Sequence, residues 1–414
     1  MRSRTGISLL AMAAMAPLAV ANGNGNGNND LDGISLPSLR GDAKVTFKPG
    51  HGFKVDGGEE YSLNMINRIQ AGWYYSNNDG AQDIMTFYGR RVRTQLDGHV
   101  FSKSTRYFIQ LEWAAGGGNT LDVFIEQDLW SNEEWSLIGR AGHIKPNYGK
   151  EATGFGTYTF FTERSLATRS FTNEGRSTGG LVELTGMDKH LHVHAGIFNA
   201  DYAAGSNFVG GHWQQNNDNE LNYTAGFRYE FGEDMGDFWF EQGDLSRSEE
   251  MRASVHGNIW LGNERSTAPS GDVDVFAFNL GGAVKTGGIS ALAEYFSWTG
   301  DPDISGAANR DQSADGFNVQ VTYTADANWG FGGRVSMVNV DAASSIGNLF
   351  APMPTGGTTF TGEGEITEFS LGVSRFFDRH DRKVQADITF QNTDPQGAGS
   401  QDNVIFRVLA TLSI

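Results

Sequence analysis

Residues 220–231 of this chain, Glu-Leu-Asn-Tyr-Thr-Ala-Gly-Phe-Arg-Tyr-Glu-Phe, alternate between apolar and polar side chains. Every second residue from Leu221 to Phe231 is apolar, whereas Asn222 and Arg228 lie between them. Successive side chains of a β-strand point to opposite faces of the sheet. The segment is therefore predicted to be a strand with one apolar face and one polar face.

The same alternation recurs in sixteen segments, which are separated by breaks rich in glycine, asparagine and aspartate. Many segments reach about ten residues, which is enough to cross a bilayer at about 45° tilt, whereas sandwich strands average about 5–6 residues. We predict an all-β fold, a transmembrane antiparallel β-barrel of about sixteen strands, and favour it over a soluble sandwich or propeller. The segments lie near residues 61–75, 86–100, 106–114, 121–128, 135–144, 176–185, 191–198, 220–231, 250–261, 274–285, 288–298, 315–325, 328–338, 366–376, 383–392 and 403–414.

The connections between these segments alternate between long and short. Lys145–Gly175 and Asn199–Asn219 are long, whereas Gly186–His190 and Asp326–Ala327 are short. Long loops on one rim and tight turns on the other are typical of outer-membrane barrels. Gly232–Glu249 breaks the alternation: it is either an insertion or an additional hairpin that would make eighteen strands.

The N-terminus indicates export. Arg2 and Arg4 precede an apolar run over residues 7–20, and Ala19-Val20-Ala21 provides a small-residue cleavage site, which together indicate a secretory signal peptide. We expect the mature protein to reside in the bacterial outer membrane. We divide the chain into a signal peptide (1–21), an N-terminal linker or periplasmic segment (22–60) and the transmembrane β-barrel (61–414).

Composition excludes several functions. The 414 residues contain no cysteine, and 31 lysines and arginines face 49 aspartates and glutamates, a formal net charge of −18. This balance argues against nucleic acid as a partner, and the lack of cysteine excludes disulfides and thiol catalysis. No nucleophile elbow or zinc-protease motif is found, so we expect no enzyme and no cofactor or metal. His190, His192 and His194 are better explained as polar histidines near a turn than as a zinc site.

Arginines on the polar faces are the candidate functional residues. Arg68, Arg91, Arg93 and Arg407 fall on the first, second and last strands, which barrel closure makes neighbours, so they would form one basic wall. Guanidinium groups suit oxyanions, and rings of such groups attract anions in pores. The alternative is that they pair with inward acids and stiffen the barrel. The other inward arginines are Arg106, Arg140, Arg228, Arg252 and Arg334, and the candidate acidic partners are Asp97, Glu112, Asp122, Glu126, Glu230, Glu368 and Asp387.

Several stretches resemble the phosphate-selective porin O/P family. Residues 87–93, Phe-Tyr-Gly-Arg-Arg-Val-Arg, resemble that family's Arg-Arg-x-Arg strand, and residues 142–151 are similar to its Gly-x-x-Lys-Pro-x-x-Gly signature. Residues 161–164, Phe-Thr-Glu-Arg, are similar to its Phe-x-Glu-Arg motif, and Gly52-Phe53-Lys54-Val55 fits its entry strand. The resemblance implies a sixteen-stranded outer-membrane porin, commonly trimeric, that passes phosphate or related anions along an arginine- and lysine-lined pore.

The resemblance also implies that the loop after the fifth strand, Lys145–Gly175, folds inward as a constriction. Lys145, Lys150, Arg164 and Arg169 are candidate pore-narrowing cations in this loop. For Glu163 and Arg164 we favour a role in anchoring the loop to the barrel wall.

We expect a channel for small anions, with phosphate and polyphosphate as candidates. Because the predicted lumen carries both signs of charge, a general diffusion porin with little anion preference stays open, and a barrel enzyme or a structural barrel is less favoured. The expected partners are small phosphate-like anions, outer-membrane lipid and lipopolysaccharide, and two further copies in a homotrimer.

Overall fold

The computed structural model describes residues 43–79, 82–114, 118–172, 175–199, 221–232, 238–267, 270–303, 312–326, 328–342 and 363–414. The predicted signal peptide and the first part of the predicted linker lie outside these ranges. The strands are β1 (Lys44–Lys48), β2 (Gly52–Asp56), β3 (Tyr61–Asn78), β4 (Ile84–Val100), β5 (Ser102–Glu112), β6 (Asn119–Ser131), β7 (Ser136–Ile144), β8 (Ser177–Gly186), β9 (Leu191–Asn199), β10 (Leu221–Phe231), β11 (Arg252–Thr267), β12 (Ser270–Thr286), β13 (Ile289–Asp303), β14 (Gln312–Thr324), β15 (Trp329–Ala342), β16 (Gly364–Asp378), β17 (Arg382–Pro395) and β18 (Gln401–Ser413). The helices are α1 (Lys150–Thr153) and α2 (Leu166–Thr172).

Strands β3 to β18 form a closed antiparallel barrel of sixteen strands, as predicted. Each strand pairs with the next along the chain, and β18 closes the barrel on β3, where Arg407 lies opposite Tyr74. Two extra strands extend the sheet: β1 pairs with β2, and β2 pairs with the start of β3, with Phe53 opposite Met65. The domain boundary at residue 61 stays a prediction.

Along much of the barrel, apolar residues face outward and polar residues face the lumen. On β14, Val319 and Val321 are 44% and 51% exposed, whereas Asn318 and Gln320 between them are at most 2% exposed. Buried apolar side chains and exposed polar ones are the rule in a protein that is surrounded by water. The inverted order fits a barrel whose outer face contacts lipid. Among the described residues, none of the helices has the length and apolarity to span a membrane.

Two segments fold into the lumen from opposite rims. We call the rim that bears the connections after β3, β5 and β7 the loop rim and the other the turn rim. The connection between β7 and β8, residues 145–176, is termed the inward loop. On the turn rim, residues 238–251 contain no strand and reach into the barrel. The eighteen-strand barrel is therefore wrong, because this segment packs against the lumen wall and adds no strands to it; we call residues 238–248 the strap.

Candidate functional site: the barrel lumen

The inward loop begins with a turn that contacts β13. Gly149 has φ +84°, a conformation that L side chains rarely adopt. This turn lets the backbone N–H groups of Lys150 and Glu151 donate to the carboxylate of Glu294 on β13, at 2.6 and 3.2 Å. A Cβ atom at Gly149 would lie 3.0 Å from Glu294 Oε1. A buried carboxylate thus fixes the start of the loop.

Phenylalanines of the inward loop fill gaps that glycines leave in the wall. A Cβ atom at Gly332 on β15 would lie 2.8 Å from a ring carbon of Phe160, and one at Gly372 on β16 would lie 2.9 Å from Phe161. Both rings are 1% exposed. Because packed interiors have little spare volume, these glycines define where the two rings can lie.

Ion pairs connect the inward loop to β4 and to β16. Glu163 accepts two hydrogen bonds from Arg90 on β4, at 2.5 and 2.9 Å, and lies 3.9 Å from Arg91. Burial by itself would raise the pKa of Glu163, but the nearby positive charges of Arg90 and Arg91 lower it to about 2. Arg169 of α2 donates to both oxygens of Glu368 on β16, at 3.0 and 3.1 Å. The loop is therefore held by charged contacts on both sides of the β18–β3 closure.

The predicted wall residue Arg407 belongs to the same set of contacts. Arg407 donates to Asp387 at 3.0 Å, and the other carboxylate oxygen of Asp387 accepts from the backbone N–H of Thr162 at 2.8 Å. Arg334 on β15 donates to the carbonyl of Glu163 at 2.8 Å. Both arginines are at most 2% exposed. Arg334 contacts the loop directly, whereas Arg407 is connected to it through Asp387.

The predicted constriction cations mostly bind backbone carbonyls. Lys145 Nζ donates to the carbonyl of Ala152 at 2.8 Å. Arg164 donates to the carbonyls of Glu151 and Gly154 at 2.9 and 2.6 Å. Lys150 is buried, which lowers its pKa, and its ammonium group donates to two carbonyls of the strap. The structure therefore places these groups as internal contacts of the loop and the strap.

Arginines on β4 to β7 pair with carboxylates of neighbouring strands. Arg93 lies 2.7 Å from Glu112, and Arg106 lies 2.6 Å from Glu126, which also pairs with Arg140. Arg106 is 37% exposed and Arg140 is 25% exposed. Arg106 and Arg140 therefore keep part of their charge exposed to the lumen.

A cavity of about 610 Å³ lies beside these strands, towards the turn rim. Its lining includes the aromatic residues Tyr107, Phe108 and Phe124, and the rings of Phe108 and Phe124 stack with centroids 5.2 Å apart. The charged groups that line it are Lys54, Lys103, Arg106 and Arg140 on the positive side and Asp56, Asp97 and Glu126 on the negative side.

The remaining predicted arginines lie elsewhere in the lumen. Arg68 is 5% exposed and donates to Gln95 at 2.5 Å, and Arg228 lies 2.9 Å from Glu230. Arg252 is half-buried at the start of β11. His192 contacts Glu183 and Arg228. The described residues include no group of three or more histidine and carboxylate side chains placed to hold a metal ion.

Sequence reasoning missed several contacts of the loop. The pairing of β3 with β4 shifts between Gln70 and Ala71, so that Arg90 is an additional residue in β4 and reaches Glu163 from beside Arg91. Alternation alone cannot detect such a bulge. The sequence did contain one signal of where the loop packs. Glycines occupy alternate inward positions of β15, Gly330 and Gly332, and leave room for a loop side chain.

Comparison with solved structures shows the fold of outer-membrane barrels. The outer membrane channel DcaP of Acinetobacter baumannii is 10% identical, with TM-score 0.58 over 86% of this chain and 98% of that chain. An anion-selective porin from Comamonas acidovorans is 11% identical, with TM-score 0.55 over 85% of this chain and all of that chain. The trimer form of OmpT, an outer membrane protein of Vibrio cholerae, is 12% identical, with TM-score 0.50 over 85% of this chain and 100% of that chain.

At these identities the comparisons establish the fold alone. No protein-family model matches the chain, and no curated protein matches it. The chain has the fold of a porin barrel of the bacterial outer membrane, which confirms the predicted fold, and its apolar outer face agrees with the predicted location. Membership of the phosphate-selective family stays a prediction.

Proposed function

We propose that this protein is a passive channel that passes small anions through the half of the lumen that the inward loop leaves open. The observation that carries the proposal is the cavity beside β3 to β7, which is lined by two lysines, two arginines and three carboxylates. Charged groups in a narrow passage with low-dielectric walls act strongly on passing ions. Negative charges beyond about 8 Å, such as those on exposed loops, are screened at physiological salt.

A general diffusion porin with little ion preference is the second candidate. It is favoured by the ion pairs of the same lining, since Arg106 and Arg140 both pair with Glu126, and Lys54 lies 3.3 Å from Asp56. Paired charges present a weaker net field to a passing ion than free ones. The two candidates share the fold and differ only in selectivity.

The reversal potential across a planar bilayer in a KCl gradient separates these candidates. We expect anion preference in the wild type, and replacing Lys103 and Arg106 together with glutamate is expected to shift the reversal potential towards cation preference. Replacing Lys44 and Lys48 together with glutamate, which changes two lysines on β1 outside the cavity lining, is the matched control and is expected to leave the reversal potential unchanged. A wild-type channel without ion preference would favour the diffusion porin.

Phosphate and polyphosphate are the proposed physiological class of anion. The support is the resemblance of the strand around Arg91 to phosphate-selective porins and the arginine-rich lumen, since guanidinium groups bind phosphate oxygens well. Phosphate added to chloride solution is expected to reduce the chloride current by occupying the passage. An unchanged current at increasing phosphate would leave a channel for small anions in general.

A homotrimer embedded in lipid and lipopolysaccharide is the proposed assembly. The outward apolar face offers surface for both lipid and neighbouring copies, and OmpT is known in a trimer form. Chemical crosslinking in native membranes, followed by electrophoresis without heating, is expected to give a species of three copies. A single-copy band under these conditions would contradict the trimer.

A further inference from the structure

We propose that the strap is a positioning element of the channel: it fixes the inward loop from the turn rim and thereby sets the width and steadiness of the passage. The inference rests on the proposed channel function. It concerns only residues 238–248 and their contacts.

The strap contacts three turns on its own rim. Asp244 accepts from the backbone N–H of Gly288, between β12 and β13, at 2.7 Å. Arg247 pairs with Asp326, between β14 and β15, at 2.8 Å. Glu241 accepts from Arg379, between β16 and β17; both of its carboxylate oxygens lie 2.9 Å from the guanidinium. The strap therefore runs along the turn rim from β12 to β17 and is held at three points along its length.

Gln242 connects the strap to the inward loop. Its backbone N–H donates to the carbonyl of Tyr158 at 3.0 Å, and its side-chain oxygen accepts from the N–H of Phe160 at 2.9 Å. Its side-chain amide donates to Glu151 at 3.1 Å, and its carbonyl faces His380 Nε2 at 2.9 Å. One buried residue thus bonds to α1 of the loop, to the segment that follows α1, and to the turn after β16.

A second set of contacts lies around Lys150. Its ammonium group donates to the carbonyls of Phe238 and Trp239 at 2.8 and 2.6 Å, and the indole N–H of Trp239 donates to Thr153 at 3.1 Å. The cavity left between loop and strap is about 10 Å³, which is room for one water molecule at most. The loop and the strap are therefore packed directly on each other.

Backbone strain at the strap contacts supports a positioning role. Arg247 and Arg379 both have positive φ, +50° and +46°, a conformation that is sterically unfavourable for a residue other than glycine. Such strain persists when surrounding contacts over-determine the conformation, and it concentrates at functional sites. Both residues form the ion pairs that fix the strap.

Single-channel recording of Gln242→Ala tests the proposal. We expect a higher conductance and a severalfold larger open-channel noise than in the wild type, because the loop loses its contact with the strap. The matched control is Gln396→Ala, an exposed glutamine on the loop rim, which is expected to behave as the wild type. Heat-modifiable electrophoretic mobility establishes that each variant is folded.

Glu241→Gln is the second variant, because it weakens the contacts of the strap with Arg379, His380 and Lys285 on its own rim and leaves the bonds of Gln242 to the loop in place. It is expected to raise the noise less than Gln242→Ala does. If the wild type conducts and both folded variants match its conductance and noise, the positioning role is wrong while the channel function stands. If the wild type does not conduct at all, the proposed function itself fails.

Discussion

The two sides of the lumen use the same residue types in different ways. On β13 to β18 and at Arg90 and Arg91 of β4, which together we call the covered wall, inward acids and arginines bond to the inward loop, as Glu368 does to Arg169. On β5 to β7, the open wall, the partly exposed arginines bond to carboxylates of neighbouring strands, as Arg106 does to Glu126. The difference lies in the glycine gaps and backbone contacts of the covered wall. An inward charge therefore does not by itself line a water-filled passage.

Removing the inward loop should produce the largest effect, because it turns the covered wall into an open one. Deleting residues 149–171 is expected to raise single-channel conductance severalfold if the barrel still folds. The measurement is conductance in planar bilayers, with heat-modifiable mobility as evidence of folding. An unchanged conductance in the folded variant would place the constriction elsewhere.

We expect the removal of one carboxylate charge to lower the free energy of unfolding by different amounts in the two walls. Glu163→Gln removes the charge that faces Arg90 and Arg91 in a site that is 1% exposed, and it should destabilise the barrel by about 3 kcal/mol, as breaking buried ion pairs does. Glu126→Gln, whose arginine partners are partly exposed, should cost at most about 1 kcal/mol. Unfolding by denaturant in lipid vesicles measures both. Equal costs would remove the proposed distinction between the walls.

Adjacent glycines on β15 provide a finer comparison. Gly332 faces the lumen, where an added methyl group would meet Phe160 at 2.8 Å, whereas the nearest atom at the outward Gly333 is 3.9 Å away. Gly332→Ala should cost about 1–3 kcal/mol through overpacking and disturb the loop, and Gly333→Ala should do neither. Denaturant unfolding and current noise test this pair. A silent Gly332→Ala would show that the ring of Phe160 is not fixed there.

The smallest expected effect is the pH dependence of the stability that Glu163 contributes. The folded pKa of Glu163 is about 2, below its ordinary value of 4.5. A depressed carboxyl pKa stabilises the fold fully above the ordinary value and loses that contribution as the pH falls through the folded value. The stability difference between wild type and Glu163→Gln should therefore stay constant near neutral pH, shrink below about pH 4.5 and be smallest near pH 2. A difference that already disappears near pH 6 would contradict the ion pair.

The alternation of apolar and polar residues predicted most of the barrel, because successive side chains of a strand point to opposite faces. It placed Asn318 and Gln320 inside and Val319 outside, and strand closure correctly brought Arg407 next to β3. The strap and its Gln242 were not predictable in this way, since contacts between distant loops leave no periodic signal. The bulge at Arg90 also escaped, because it interrupts the period itself.

The most direct test of the covered and open walls uses the lack of cysteine in the chain. Ser62→Cys places a thiol in the lining of the cavity, and Ser374→Cys places one where the native side chain is 1% exposed and bonds to the carbonyl of Phe160. A negatively charged methanethiosulfonate reagent reacts with accessible thiolates. Modification of Ser62→Cys should be fast and should reduce the current, whereas Ser374→Cys should stay unmodified until the inward loop is deleted. Equally fast modification of both cysteines in the intact barrel would contradict the account.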